Sequence, residues 1–176
     1  MCVLRIMEDP SEIMVSQAVA DYESQLTAYA MTILHDRDRA RDVVQDTFIR
    51  LNKQDPDKMG KGLKSWLFTV CRNRALDVLR KEKRMTALED DHLKVLPGSE
   101  ESPLVVVDHD ERHAQVQTYL HRLTDNQRTV IILKFQQGLS YKEISETTGL
   151  STGNVGFLIH AGLKKLRSLL PDDLLS

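Results

Sequence analysis

Apolar residues recur at steps of three and four along most of this chain, the spacing that lines one face of an α-helix. In the first such run, Ile13 to Leu34, the positions are Val15, Ala18, Val19, Tyr22, Leu26, Tyr29, Ala30 and Ile33, with room for a break near Asp21. A second helix follows, for which Asp36 or Asp38 is a suitable N-cap. Its inward stripe is Ala40, Val43, Val44, Thr47, Phe48 and Leu51, and its outer face carries Asp42, Gln45, Asp46, Ile49 and Arg50. The stretch from Asn52 to Gly62 has no periodicity, contains Pro56, Gly60 and Gly62, and reads as a loop. Beyond it Leu63, Trp66, Leu67, Val70, Cys71, Ala75 and Val78 form the stripe of a third long helix. The opposite side of that helix presents Lys64, Ser65, Phe68, Thr69, Arg72, Asn73, Asp77, Arg80, Lys81 and Arg84.

The pattern then fails. From Met85 to Val107 the acidic residues Glu89, Asp90, Asp91, Glu100 and Glu101 face only Lys94, while Pro97, Gly98 and Pro103 break any helix. This reads as a flexible acidic linker between two small helical domains, residues 1–84 and 108–176. Helical spacing resumes with Val116, Tyr119, Leu120 and Leu123 inward on a helix from about Asp108 to Leu123. A capping-box pattern, Thr124 with Gln127, then opens a helix through Val130, Ile131, Lys134 and Phe135 that stops at Gly138.

The stretch from Ser140 to Arg167 has the form of a helix-turn-helix. Ser140 with Glu143 starts the first helix, and Ser151 caps the second. Small Ser145 lets the second helix cross closely, Gly149 supplies a left-handed turn, and Val155 anchors the second helix on the first. Pro171 closes the last helix. The fold class expected is therefore all-α.

Composition narrows the function. The 176 residues carry a net charge of -2, so nucleic acid cannot be held by bulk charge, and any contact must use local basic patches. Cys2 and Cys71 make neither a disulfide framework nor a metal ligand set. No run approaches the roughly 20 apolar residues of a membrane span, and the first residues do not form a signal peptide, so a cytoplasmic protein is expected. Nowhere does a Gly-rich phosphate loop, nucleophile elbow or paired acid/base motif occur; neither enzyme activity nor a cofactor is expected. His109 and His113 stand four apart, but with no third ligand at a recognisable spacing no metal is expected either.

Two readings fit the third helix. A basic face holding Lys64, Arg72, Arg80, an outward Phe68 and the amide of Asn73 suits a phosphate backbone with unpaired bases stacked on it. It also suits a solvated amphipathic helix whose basic end complements its own dipole. The outer face of the second helix is equally open to plain solvation.

The segments taken together carry a family resemblance. D-R-D-R-A-R-D-V-V-Q-D-T-F-I-R-L, from Asp36, resembles the core-binding helix of bacterial RNA polymerase sigma factors of the extracytoplasmic-function group. S-W-L-F-T-V-C-R-N-R-A-L-D-V-L-R-K, from Ser65, resembles that group's promoter-melting helix. The stretch from Leu123 to Ser151 resembles the start of its -35-binding domain. The resemblance implies an alternative sigma factor that joins core RNA polymerase, through the β′ and β subunits, and directs promoter-specific initiation. It also implies an anti-sigma partner. Asp42, Gln45, Asp46 and Ile49 would dock on the β′ coiled coil. Lys64, Phe68, Arg72, Asn73 and Arg80 would hold the non-template strand of the -10 element. The second domain would place its last helix in the major groove of the -35 element.

One departure from the family pattern stands where readout occurs. Related factors usually place Lys, Ser and Arg after the Val of the recognition helix, whereas Gly156, Phe157 and Leu158 stand here. Base contacts would fall to Ser151, Thr152, Asn154, Phe157 and His160, with Lys164 further along, so an altered or weaker -35 preference, or a glycine-and-Phe surface used for another protein, is expected. A DNA-binding regulator that never joins polymerase, or an adaptor that binds proteins without reading promoters, would also use a helix-turn-helix. The first has no use for the Asp42 to Ile49 face.

Overall fold

The computed structural model describes residues 9–89 and 118–170, and every regular element among them is helical. The chain divides into two compact units, the division falling between Arg84 and Met85.

In the first unit, α1 (Pro10–Leu34) starts at Asp9, whose side chain accepts from the Ser11 N–H, and runs without interruption past Asp21. The break allowed for at Asp21 is absent because that residue is exposed and places no polar group in the core. The helix ends where His35 turns left-handed at φ 54°, giving its N–H to the Met31 carbonyl. Asp36 then caps α2 (Arg37–Leu51), accepting from Arg39 N–H at 3.0 Å. All six apolar-stripe positions of α2 are buried, and α1 packs along them with Ala18, Leu26, Tyr29, Ala30 and Leu34.

The expected loop from Asn52 to Gly62 contains a short helix, α3 (Pro56–Met59), capped by Asp55, and a 3-10 turn over Gly60–Gly62. A single turn of helix is too short to show a hydrophobic period, and Asp55-Pro56 is the local signal that sets it up. Next comes α4 (Leu63–Glu89), which continues past the Arg84 at which the sequence pattern changes.

In the second unit, Thr118–Leu120 form a last helical turn before α5 (Asp125–Ile131). Thr124 and Gln127 close a reciprocal capping box there, Thr124 N–H to Gln127 Oε1 at 3.2 Å and Gln127 N–H to Thr124 Oγ1 at 3.4 Å. The helix widens into one π-turn over Ile132–Gln136 and stops at Gly138, φ 67°. Helices α6 (Tyr141–Thr148) and α7 (Thr152–Leu169) form the helix-turn-helix. Gly149 between them lies at φ 74°, a conformation that costs a side-chain-bearing residue energy. Ser145 does more than leave room: its hydroxyl donates to the Leu150 carbonyl at 2.6 Å and so fixes the turn itself.

Leu120, Leu123, Val130 to Leu133, Leu139, Ile144, Val155 and Ile159 make the core of this unit. Gly162 belongs to the same packing. A Cβ there would lie 2.6 Å from Ile131 Cδ1, so close approach of α7 to α5 explains a glycine in the middle of a helix.

Candidate functional site

On α2 the burial of the apolar stripe forces the opposite side outward. Asp42, Gln45 and Ile49 are exposed, Ile49 at 58%. Asp46 differs from these three. It is half-buried, and its Oδ2 lies 3.0 Å from Arg50 Nε and 2.5 Å from Arg74 Nε of α4, so it ties the two helices together. Partial burial pushes its carboxyl pKa up, but the Arg50 hydrogen bond and the Arg74 charge outweigh that and hold it below the ordinary value. A depressed carboxyl stabilises the fold above its unfolded pKa, and this contribution is lost as pH falls through the folded one. A second tie, Arg39 to Glu82, crosses the same open groove of about 200 Å³, lined also by Asp42, Val43 and Val78.

On α4 the expected face is only partly present. Asn73 and Arg80 are exposed and Lys64 and Arg72 half-buried, with Arg80 paired to Asp77 at 3.3 Å. Phe68 does not face outward. It is fully buried, edge-on to Tyr29 with ring centroids 5.3 Å apart. The buried arc of α4 is Leu67, Phe68, Cys71 and Ala75, rotated from the stripe read in the sequence, and Trp66 and Val70 are left half-exposed. The reason is that α4 must cover the Tyr29 ring on α1 as well as the α2 stripe. Cys71 lies inside this core, its thiol pushed up to about 12 by burial, which makes it inert as a nucleophile or ligand. Trp66 shares a face with Thr69 and Asn73. It is the aromatic side chain that the sequence reading missed, and its spacing from Asn73, two helical turns, was the available signal.

In the second unit Ser151, Thr152, Asn154, Phe157, His160 and Lys164 are all exposed, Ser151 and Thr152 at the start of α7 and Phe157, His160 and Lys164 opposite buried Val155, Ile159 and Gly162. Ser151 is engaged as the helix cap, accepting from Asn154 N–H at 3.2 Å. Phe157 is 68% exposed. His109 and His113 lie outside the described residues, as does most of the acidic stretch before them; among the described residues no cluster of metal-ligating side chains occurs.

One unit is a helix-turn-helix with an exposed second helix, a form that suits DNA, and the other is a helical bundle with a charged, partly aromatic surface of its own. Comparison with known proteins makes the class specific. Residues 18–85 match the model of sigma-70 region 2 and residues 113–166 that of sigma-70 region 4. The chain is 30% identical over 146 residues to the ECF RNA polymerase sigma factor EcfG of Rhodopseudomonas palustris, covering 82% of this chain and 78% of that one. It is 27% identical over 159 residues to the sigma factor SigV of Bacillus subtilis, covering 90% and 92%. Among solved structures it is similar to the sigma factor RpoE of Bartonella quintana in complex with the anti-sigma factor NepR. There the TM-score is 0.65 at 28% identity, over 88% of this chain and 94% of that one.

The chain belongs to the ECF RNA polymerase sigma factors. It is an alternative sigma factor, which binds core RNA polymerase and directs promoter-specific initiation.

Proposed function

We propose that residues 1–84 bind core polymerase and the -10 element, that residues 108–176 bind the -35 element, and that residues 85–107 connect them. The observation that carries this division of labour is the α2 face, where Asp42, Gln45 and exposed Ile49 present one apolar side chain ringed by polar ones. A small apolar anchor inside a polar rim is the usual build of a protein-binding hot spot. Asp46 acts here by positioning, since its carboxylate already holds α2 to α4.

On α4, Arg72, Asn73 and Arg80 suit the phosphates and base edges of a melted strand, and half-exposed Trp66 takes the stacking role that buried Phe68 cannot. An anti-sigma factor is the natural inhibitor of such surfaces, in keeping with the complex in which the Bartonella relative was solved. Among the described residues no helix is long and apolar enough to cross a membrane; the cytoplasm as site of action follows from the work beside polymerase.

Ile49→Arg tests the reading. Because Ile49 is exposed, the variant is expected to melt like the wild type yet bind core polymerase at least about tenfold more weakly in competition with labelled wild-type chain. Unchanged core affinity would remove this face from the interface.

A further inference from the structure

We infer that Phe157 reads a thymine through its C5-methyl group, so that the upstream element this factor recognises is built on A·T pairs and not on guanine. The inference rests on the sigma-factor reading above and adds to it the base chemistry of the recognition helix.

Geometry places Phe157 where a base-reading side chain belongs. Helix-turn-helix proteins lay the N-terminal part of the second helix against base edges in the major groove. On α7 the buried side is Val155, Ile159 and Gly162, and the side directly opposite is Gly153, Phe157, His160 and Lys164. Phe157 lies in the second turn at the centre of that outer side, 68% exposed.

Its neighbours leave it standing clear. Gly153 has open space where a Cβ would be, and Gly156 lies beside the Tyr141 ring, 3.4 Å from where its own Cβ would stand. With no side chain at Gly153, a duplex can approach the backbone on that side until the ring enters the groove.

The chemistry of the face excludes the usual guanine contact. Guanine is read by a fork of donors from Arg or Lys to O6 and N7. Between Ser151 and Ala161 the sequence holds neither residue. His160 offers no such fork, and the Ser151 hydroxyl is committed to its helix cap. What remains is Thr152, whose hydroxyl does not distinguish one base from another, Asn154, whose amide pairs with adenine N6 and N7, and Phe157, whose ring makes apolar contact with a thymine methyl. Lys164, Lys165 and Arg167 are exposed two turns or more further along, positioned for phosphates. Backbone contacts supply affinity there, and the apolar ring supplies the choice of base.

The test uses holoenzyme assembled from core polymerase and the full chain. A promoter library randomised over the upstream element is selected for binding, and each thymine in the selected element is then replaced by deoxyuridine, which lacks only the methyl group. One replacement is expected to weaken wild-type holoenzyme about fourfold, the worth of one buried methyl. The same replacement should have no effect on Phe157→Ala holoenzyme. Phe157→Arg holoenzyme should select guanine at that position. Selection of guanine by the wild type, or insensitivity to deoxyuridine at every position, would overturn the inference while leaving the sigma role intact. Binding of an anti-sigma protein lost in Phe157→Ala with promoter selection unchanged would assign the ring to that protein instead and overturn it too. If no transcript depends on the chain at all, the initiation reading fails and this inference with it.

Discussion

Phe68→Ala is expected to destabilise the amino-terminal unit by about 4 kcal/mol, the cost of emptying a phenylalanine-sized volume in a packed core. Phe68 is fully buried and meets Tyr29 edge-on, beside Leu67, Cys71 and Leu26. Truncation removes the ring contact and leaves a void that α1 and α4 cannot close without shifting. Domain stabilities of about 5–15 kcal/mol leave little margin for such a loss. The chain's single tryptophan, Trp66, belongs to this unit, so urea unfolding followed by its fluorescence reports on the correct part of the molecule. The midpoint should fall sharply, and binding to core polymerase and to promoter should weaken together. A variant that melts like wild type but loses only -10 binding would mean that the ring faces DNA after all.

Arg128→Ala should act on the other unit with comparable force. This arginine is 7% exposed, and its guanidinium donates to the Leu120 carbonyl at 3.1 Å, which also accepts from Leu123 N–H at 3.2 Å, and to the Leu123 carbonyl at 3.3 Å, in the turn that precedes α5. Its ion pair with Asp125, 3.6 Å away on a 94% exposed side chain, adds little. Hydrogen bonds from a charged group are worth roughly 1.5–3 kcal/mol each, and their loss here takes one donor from the Leu120 carbonyl, which keeps its bond from Leu123 N–H, and another from the Leu123 carbonyl. We expect a loss of about 3 kcal/mol and a fall of more than about 10 °C in the melting of this unit by far-ultraviolet circular dichroism. The Trp66 transition should stay where it is, and Arg128→Lys should recover only part of the loss because one ammonium cannot span both carbonyls. A melt unchanged by Arg128→Ala would show that water serves those carbonyls equally well.

These two residues also mark where sequence reasoning stops. Capping boxes at Thr124–Gln127 and Ser140–Glu143, the Ser151 cap and the Gly149 turn were legible because each is a local bargain between one side chain and its own backbone. The α2 face was legible because its apolar stripe is narrow, so the outward side has no freedom. Helix α4 is different: Leu63, Trp66, Leu67, Phe68, Val70 and Cys71 are apolar around most of its circumference. Which arc is buried depends on Tyr29, far away in the chain, and periodicity carries no record of that partner. Arg128 reads as an ordinary surface charge until the end of the preceding helix is known. The single turn at Pro56–Met59 and the π-turn at Ile132–Gln136 are too short to have a period of their own. On α7, by contrast, Phe157, His160 and Lys164 were placed outward, because buried Val155 and Ile159 fix the rotation of the helix.

The central claim, that this chain programs polymerase, is tested most directly by run-off transcription from a pool of genomic promoter fragments with purified core polymerase. Transcripts should appear only when the chain is added and, with the chain limiting, should fall with Ile49→Arg. No chain-dependent transcript, despite measured binding to core, would contradict the account.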